Sequence, residues 1–358
     1  MRLPPLRTAA LLVVAVAVAV SLGACGTGGT GGTGGTPKSA IHVEPEVTFA
    51  LPPASAGCAG MISLGGGAER LPITVSTVAG QVAEMVNVCI EGHGPYPFVI
   101  DSGAGESIID AHLANRLHLR GNGPSSEFEG VGCTGTSRPV SVTSWSAAGA
   151  TLSPQTLTAA TLPDFGIAGQ PVGLLGSDVM SRFGAVRVDF ARQTLTLGGP
   201  EGPAASGTSQ VHGPTGPAPS TTLTEGEAGT TVPLTVVMAP GETSLNVQLR
   251  FGTGPLRSFV VDTGSSQSVV ATQVDKSVHF ASSRLAQRQT TVCSTITVPL
   301  VHSGPWSLRG LPLHPQLLGV TSFGPISRGG TEGLLGSDQL ERFGWVIFDY
   351  AGGQMVLG

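Results

Sequence analysis

Residues 259–270 read Phe-Val-Val-Asp-Thr-Gly-Ser-Ser-Gln-Ser-Val-Val. An unbroken apolar run, suited to a buried strand, carries one carboxylate, Asp262, into a glycine turn before the chain becomes apolar again. A carboxylate beside a core is costly to desolvate, so its position asks for a reason. One such group cannot both deprotonate a water and protonate the bond that breaks; a second is needed. The chain supplies it. Residues 98–109, FVIDSGAGESII, repeat the pattern around Asp101. GLLGSDVMSRFGAVRVDFARQTLTLG at 173–198 returns as GLLGSDQLERFGWVIFDYAGGQMVLG at 333–358, and LPITV at 71–75 as VPLTV at 232–236. Matches in the same order at nearly one offset identify two copies of a unit, over 69–199 and 230–358. Residues 200–229 between them are rich in Pro, Gly and Ser and read as a linker.

With 358 residues the chain can bury a sizeable core. Abundant Gly, Pro, Thr, Val and Ser, with few long helix formers, predict an all-β fold. Only 11% of residues are charged, the net charge is −5, and the basic residues do not cluster, which excludes a nucleic-acid surface. Scattered histidines without metal-ligand spacing predict no metal, and no cofactor motif appears: GTGGTGGTGGT lacks the Lys-Ser/Thr end of a phosphate loop.

Within each copy the apolar positions recur by twos, as at Val86, Val88 and Ile90, and a turn at 92–95 leads into Phe98-Val99-Ile100. The turn after each aspartate requires Gly103 or Gly264, because backbone doubling back beside a carboxylate leaves no space for a Cβ. GLLG predicts a second buried strand, Ser177-Asp178 and Ser337-Asp338 caps on short helices, and the closing segments hairpins. Asp178, Asp338, Asp189 and Asp349 are expected in capping or turn roles; Asp110 and Glu106 have no counterparts and are expected to be solvated.

The N-terminus has the form of an export signal: a short basic stretch to Arg7, an apolar run over 9–20 too short to span a bilayer, then small residues. Leu22-Gly23-Ala24-Cys25 resembles the lipobox of bacterial lipoproteins. The resemblance implies a signal peptide over 1–24, lipidation of Cys25 and a membrane anchor. The alternative is an ordinary cleaved signal and a secreted protein; both place the chain outside the cytoplasm. Residues 25–68 then hold the lipidated cysteine, a Gly/Thr-rich tether and an N-terminal segment.

Hydrophobic-hydrophobic-Asp-[Ser/Thr]-Gly-[Ala/Ser], followed some 70 residues later by a hydrophobic-hydrophobic-Gly strand, resembles the aspartic protease superfamily. Each copy is similar to a retropepsin-like unit, and the tandem resembles the two-lobed pepsin layout. The resemblance implies a bilobal fold, a monomer that is an intramolecular pseudo-dimer, and a cleft between lobes that takes a peptide or protein substrate. It implies Asp101 and Asp262 as the catalytic pair sharing one proton. Ser102 and Thr263 would bond across the axis, and the Gly103 and Gly264 amides would donate to the carboxylates. The residue after that glycine differs: the Ser265 hydroxyl is expected to bond its carboxylate, which Ala104 cannot do, giving a less acidic optimum. The flaps fall at 129–135, with Gly132 and Cys133, and at 290–295, with Cys293; neither carries the flap tyrosine of pepsin. With Cys25 lipidated, four cysteines allow three pairings. The favoured one is Cys58–Cys89, with Cys89 facing outward, and Cys133–Cys293, which symmetry alone supports and which would tie the flaps together. A different class also fits the sequence: a degenerate protease fold gripping a peptide or cell-envelope ligand. In a third reading, residues 26–68 keep a protease latent.

Overall fold

The computed structural model describes residues 58, 69–78, 81–165, 169–198, 229–239, 242–324 and 330–358. The signal peptide, Cys25, the tether and nearly all of the linker lie outside the described residues. The fold is all-β and two-lobed: an eleven-stranded sheet in the first half, a ten-stranded sheet in the second, and a six-stranded sheet between.

The six-stranded sheet takes three strands from each half, in the order Glu69–Pro72, Thr194–Leu197, Ala185–Asp189, Trp345–Asp349, Gln354–Leu357, Thr230–Pro233. Its central pair is antiparallel and reciprocal, with Ala185 opposite Asp349 and Asp189 opposite Trp345. The axis relating the halves therefore passes at Arg187 and Ile347. The Arg187 guanidinium lies 4.2 Å from the Trp345 ring centroid, a cation–π contact joining the halves at the axis. Asp189 serves this sheet, bound to Arg187 and to Arg192 at 2.9 Å each.

Inside each lobe the strand carrying the aspartate is buried on both faces, which is why it reads as a continuous apolar run. Strand His93–Asp101 pairs antiparallel with Gln81–Ile90 and parallel with Gly173–Gly176, whose Gly176 stands opposite Asp101. Strand Leu256–Asp262 repeats this between Glu242–Phe251 and Gly333–Gly336, with Gly336 opposite Asp262. The first glycine of each GLLG lies on a phenylalanine ring, Phe98 or Phe259, both fully buried. Burying each of these side chains contributes on the order of 2–3 kcal/mol. The first turn lies at Glu91-Gly92, with Glu91 at φ 49°, and the strand already resumes at His93.

Four details depart from the sequence reading. The N-caps of helices Ser177–Met180 and Ser337–Leu340 are Gly176 and Gly336, so neither serine nor aspartate caps. Asp110 is buried, not solvated: it caps helix Ala111–Arg116 through the His112 and Leu113 amides and accepts from Leu162 N at 3.1 Å. Glu106 is half-buried and accepts from Thr158 Oγ1 at 2.7 Å. Cys89 is buried rather than outward-facing, and is bonded to Cys58.

Candidate active site

The parallel pairing with GLLG ends each aspartate strand at the same level, and the two turns that follow meet at the axis. There they are locked reciprocally. Ser102 N donates to Thr263 Oγ1 at 2.9 Å, and Thr263 N donates to Ser102 Oγ at 3.0 Å. Each hydroxyl donates onward to the opposite strand, Ser102 Oγ to Val261 O at 2.9 Å and Thr263 Oγ1 to Ile100 O at 2.7 Å. All four bonds are buried, so losing one leaves an unsatisfied group at about 1–3 kcal/mol.

The lock brings Asp101 and Asp262 together at the axis, each carboxyl lying against the glycine of the opposite turn, close enough for the two acids to shift each other's ionisation. Both residues are fully buried. In each, Oδ1 is held by backbone amides: Gly103 N and Ala104 N at 3.0 and 2.8 Å on Asp101, Ser265 N at 2.9 Å on Asp262, with the Gly264 amide adding to the latter. Neither Oδ2 has a hydrogen-bond partner among the described residues. The glycines are required for a reason more specific than a tight turn. A Cβ on Gly103 would lie 2.6–2.7 Å from the Asp262 carboxyl oxygens, and one on Gly264 would strike the Asp101 carboxyl. Each glycine thus makes room for the other lobe's acid.

Burial raises the Asp101 carboxyl to about 7, against interactions with Ala104, Asp262 and Gly103 that favour its charged form. Burial also raises Asp262 well above the carboxylate range, and the charge on Asp101 adds to it. Two buried acids this close cannot both ionise at modest cost, so the pair holds one proton and titrates in two steps belonging to both.

The Ser265 hydroxyl does not reach its carboxylate. It donates to Gln267 O at 2.7 Å, closing its own turn, so the two aspartates differ little at this position and the expected Ser265–Ala104 asymmetry is absent.

Residues that the sequence reading placed elsewhere buttress the turns. Ser177 Oγ donates to Ser102 O at 2.9 Å and lies 2.9 Å from Tyr350 Oη of the other half. Ser337 Oγ is 3.1 Å from Thr263 O and 3.0 Å from Glu84 Oε2 of the first half. Asp178 Oδ1 accepts from Ser107 Oγ at 2.6 Å; Asp338 Oδ1 accepts from Ser268 N and Oγ at 2.9 and 2.7 Å. These aspartates tie GLLG to the strand beyond each turn, and burial raises both to about 6. Main-chain bonds complete the frame: Val82 N to Ser266 O at 3.4 Å and Thr243 N to Gly105 O at 3.2 Å.

Glu84 and Tyr350 were not singled out from the sequence. Glu84 is fully buried, its Oε1 has no partner among the described residues, and burial lifts its carboxyl to about 8, offset in part by the Ser337 bond. The signal was a charge on the apolar stripe of Val82, Val86 and Val88. Tyr350 stands where the first copy has Phe190, so it differs from its counterpart by one hydroxyl.

The disulfide Cys133–Cys293 joins the two flap positions, hairpin Ser126–Gly130/Cys133–Val142 and hairpin Ala281–Thr290/Thr295–His302. Gly132 forms the first hairpin's turn at φ 71°.

Residues 86–179 match the family model described as aspartyl protease. No curated protein matches the chain. Among solved structures, the aspartic proteinase from Irpex lacteus aligns over 82% of this chain and 97% of its own, with 14% identity and a TM-score of 0.43. The aspartyl protease match spans Asp101, its glycine turn and the first GLLG. Over residues 86–179 the chain is similar to the aspartyl protease family.

Proposed function

We propose that the protein is an aspartic endopeptidase in which Asp101 and Asp262 activate one water for attack on a peptide bond. The observation that carries this reading is the close approach of two buried carboxyls from different halves, held by the Ser102–Thr263 lock. In the singly protonated pair, the ionised carboxylate takes a proton from water as oxygen adds to the carbonyl carbon. The protonated partner gives its proton to the carbonyl oxygen. Collapse of the tetrahedral diol returns a proton to the leaving nitrogen and restores the pair. The amides on Oδ1 fix both carboxyls and stabilise the charge, whichever of them carries it.

The location we propose is extracytoplasmic, with Cys25 as lipid anchor. It is supported by the signal-like N-terminus and by two disulfides, which persist in oxidising compartments. The test of function is cleavage of a peptide library by wild type, Asp101→Asn and Asp262→Asn, each assayed both oxidised and after treatment with dithiothreitol, with and without a statine-type inhibitor. Cleavage by wild type alone, blocked by the inhibitor, is the expected result; equal cleavage by all three would remove both aspartates from the chemistry.

A further inference from the structure

The hairpin tips are joined across the two halves, with Cys133 and Cys293 bonded over 160 residues of sequence and their Cα atoms 6.0 Å apart. They do not rest on the surface. Val131 in one tip, and Thr291 and Val292 in the other, are fully buried. Val292 belongs to an apolar cluster otherwise made by the first half, with Val99, Ala104, Ile108, Phe128 and Leu174; Cys293 packs against the same cluster. The second half's tip is therefore seated among side chains that adjoin the first aspartate turn. In the opposite sense, Gly132 approaches Ile296 and Thr321 of the second half. Each tip crosses to the other lobe, and the bond holds the crossing in place. Beneath it, both carboxyls have zero exposure. A peptide reaches the aspartates only if the packing around them opens, and the joined tips, one of them seated against Ala104 of the first aspartate turn, form part of that packing.

We propose that Cys133–Cys293 is a reducible latch: a dithiol reductant opens it, the tips leave their apolar seats, and the aspartate pair becomes accessible to substrate. The chemistry is thiol–disulfide exchange. A reductant thiolate attacks Cys293 Sγ, forming a mixed disulfide, and Cys133 departs as a thiolate that takes up a proton. The second reductant thiol then displaces Cys293, which leaves as a thiol. Two electrons and two protons pass to the protein, and the reductant leaves as its own disulfide. Both cysteines are partly exposed, whereas the Cys89 end of the other disulfide is buried. Thr291 Oγ1 lies 3.0 Å from Cys133 Sγ; its hydroxyl, which donates to Ser294 O at 3.0 Å in the oxidised form, can turn to the departing thiolate. As a control of hydrolysis the latch rests on the protease reading; as a gate to the carboxyls it does not.

The test uses the full chain in three forms: oxidised, treated with dithiothreitol, and the double variant Cys133→Ser/Cys293→Ser, which leaves Cys58–Cys89 intact. The first readout is labelling of Asp101 and Asp262 by a water-soluble carbodiimide and an amine, followed by mass spectrometry. The second is cleavage of a peptide library. Labelling of both aspartates is expected to rise about tenfold or more in the reduced and double-variant proteins, as local opening replaces a sealed site, and to fall again on reoxidation of the reduced wild type. Cleavage rising in parallel supports both readings. Labelling that rises while cleavage stays absent supports the latch and overturns the protease. Labelling that is unchanged by reduction and by the double substitution overturns the latch, whatever the cleavage.

Discussion

Replacing Glu84 by Gln is expected to make the protein less sensitive to rising pH. The Glu84 carboxyl sits at about 8 in the folded protein, raised from 4.5 chiefly by burial. A raised acid binds its proton more tightly in the folded state, so folding is favoured where it stays protonated and disfavoured as pH climbs above the unfolded value. The loss begins near 4.5 and is complete above about 8. At 1.36 kcal/mol per pH unit it amounts to about 3 kcal/mol at pH 7 and approaches about 5 kcal/mol beyond pH 8. Gln keeps an oxygen for the Ser337 hydroxyl and cannot ionise. At pH 4.5 the two proteins should agree within about 1 kcal/mol, the scale of one exchanged hydrogen bond. Asp101, Asp178 and Asp338 act in the same direction and are present in both proteins, so the difference isolates Glu84. Urea unfolding with disulfides intact, at three pH values from 4.5 to 8, measures it. The variant should gain on wild type steadily across that range. Parallel curves would refute the assignment of a proton to Glu84.

Thr263→Val keeps the shape of the lock but strands the buried Ser102 N–H and Ile100 carbonyl; urea unfolding should show a loss of about 2–4 kcal/mol. Unchanged stability would mean that the lock is not made in solution. Gly264→Ala drives a methyl group into the Asp101 carboxyl, so cleavage should fall by about a hundredfold or more while circular dichroism remains that of a β protein. Wild-type kcat/KM should rise as pH approaches about 7, where Asp101 ionises beside a still-protonated Asp262, and decline only at higher pH as the pair loses its last proton. A profile already declining by about pH 4 would place the pair in water rather than in a buried site.

The parts most legible in the sequence were those written twice. Asp101 with Asp262, the glycines beside them and GLLG with GLLG declared a symmetric site because each copy vouches for the other. Symmetry also pointed to the Cys133–Cys293 pairing, since only the axis brings equivalent hairpins together. What escaped was the asymmetric layer beneath. Glu84 faces Ser337 and Tyr350 faces Ser177, but their counterparts Leu245 and Phe190 are apolar, so comparing copies hides them. The serines after GLLG looked like helix caps because the same residue type serves both purposes. Only the fold shows that Gly176 and Gly336 take the cap positions and free the hydroxyls for the aspartate turns. Ser265 was misjudged because sequence cannot choose between two acceptors in reach, and the hydroxyl satisfies Gln267 O. Asp110 looked solvated for want of a counterpart, yet a local helix cap needs none.

The most direct test is a carboxyl titration of the protein carrying carbon-13-labelled aspartate, followed by NMR in wild type and in Asp262→Asn. If Asp101 and Asp262 hold one proton between them, their signals should move together in two separated steps, both above the ordinary aspartate value. In the variant a single step should remain for Asp101. Two independent single titrations near the ordinary aspartate value, unchanged for Asp101 when Asp262 is replaced, would contradict the shared proton and the hydrolytic mechanism built on it.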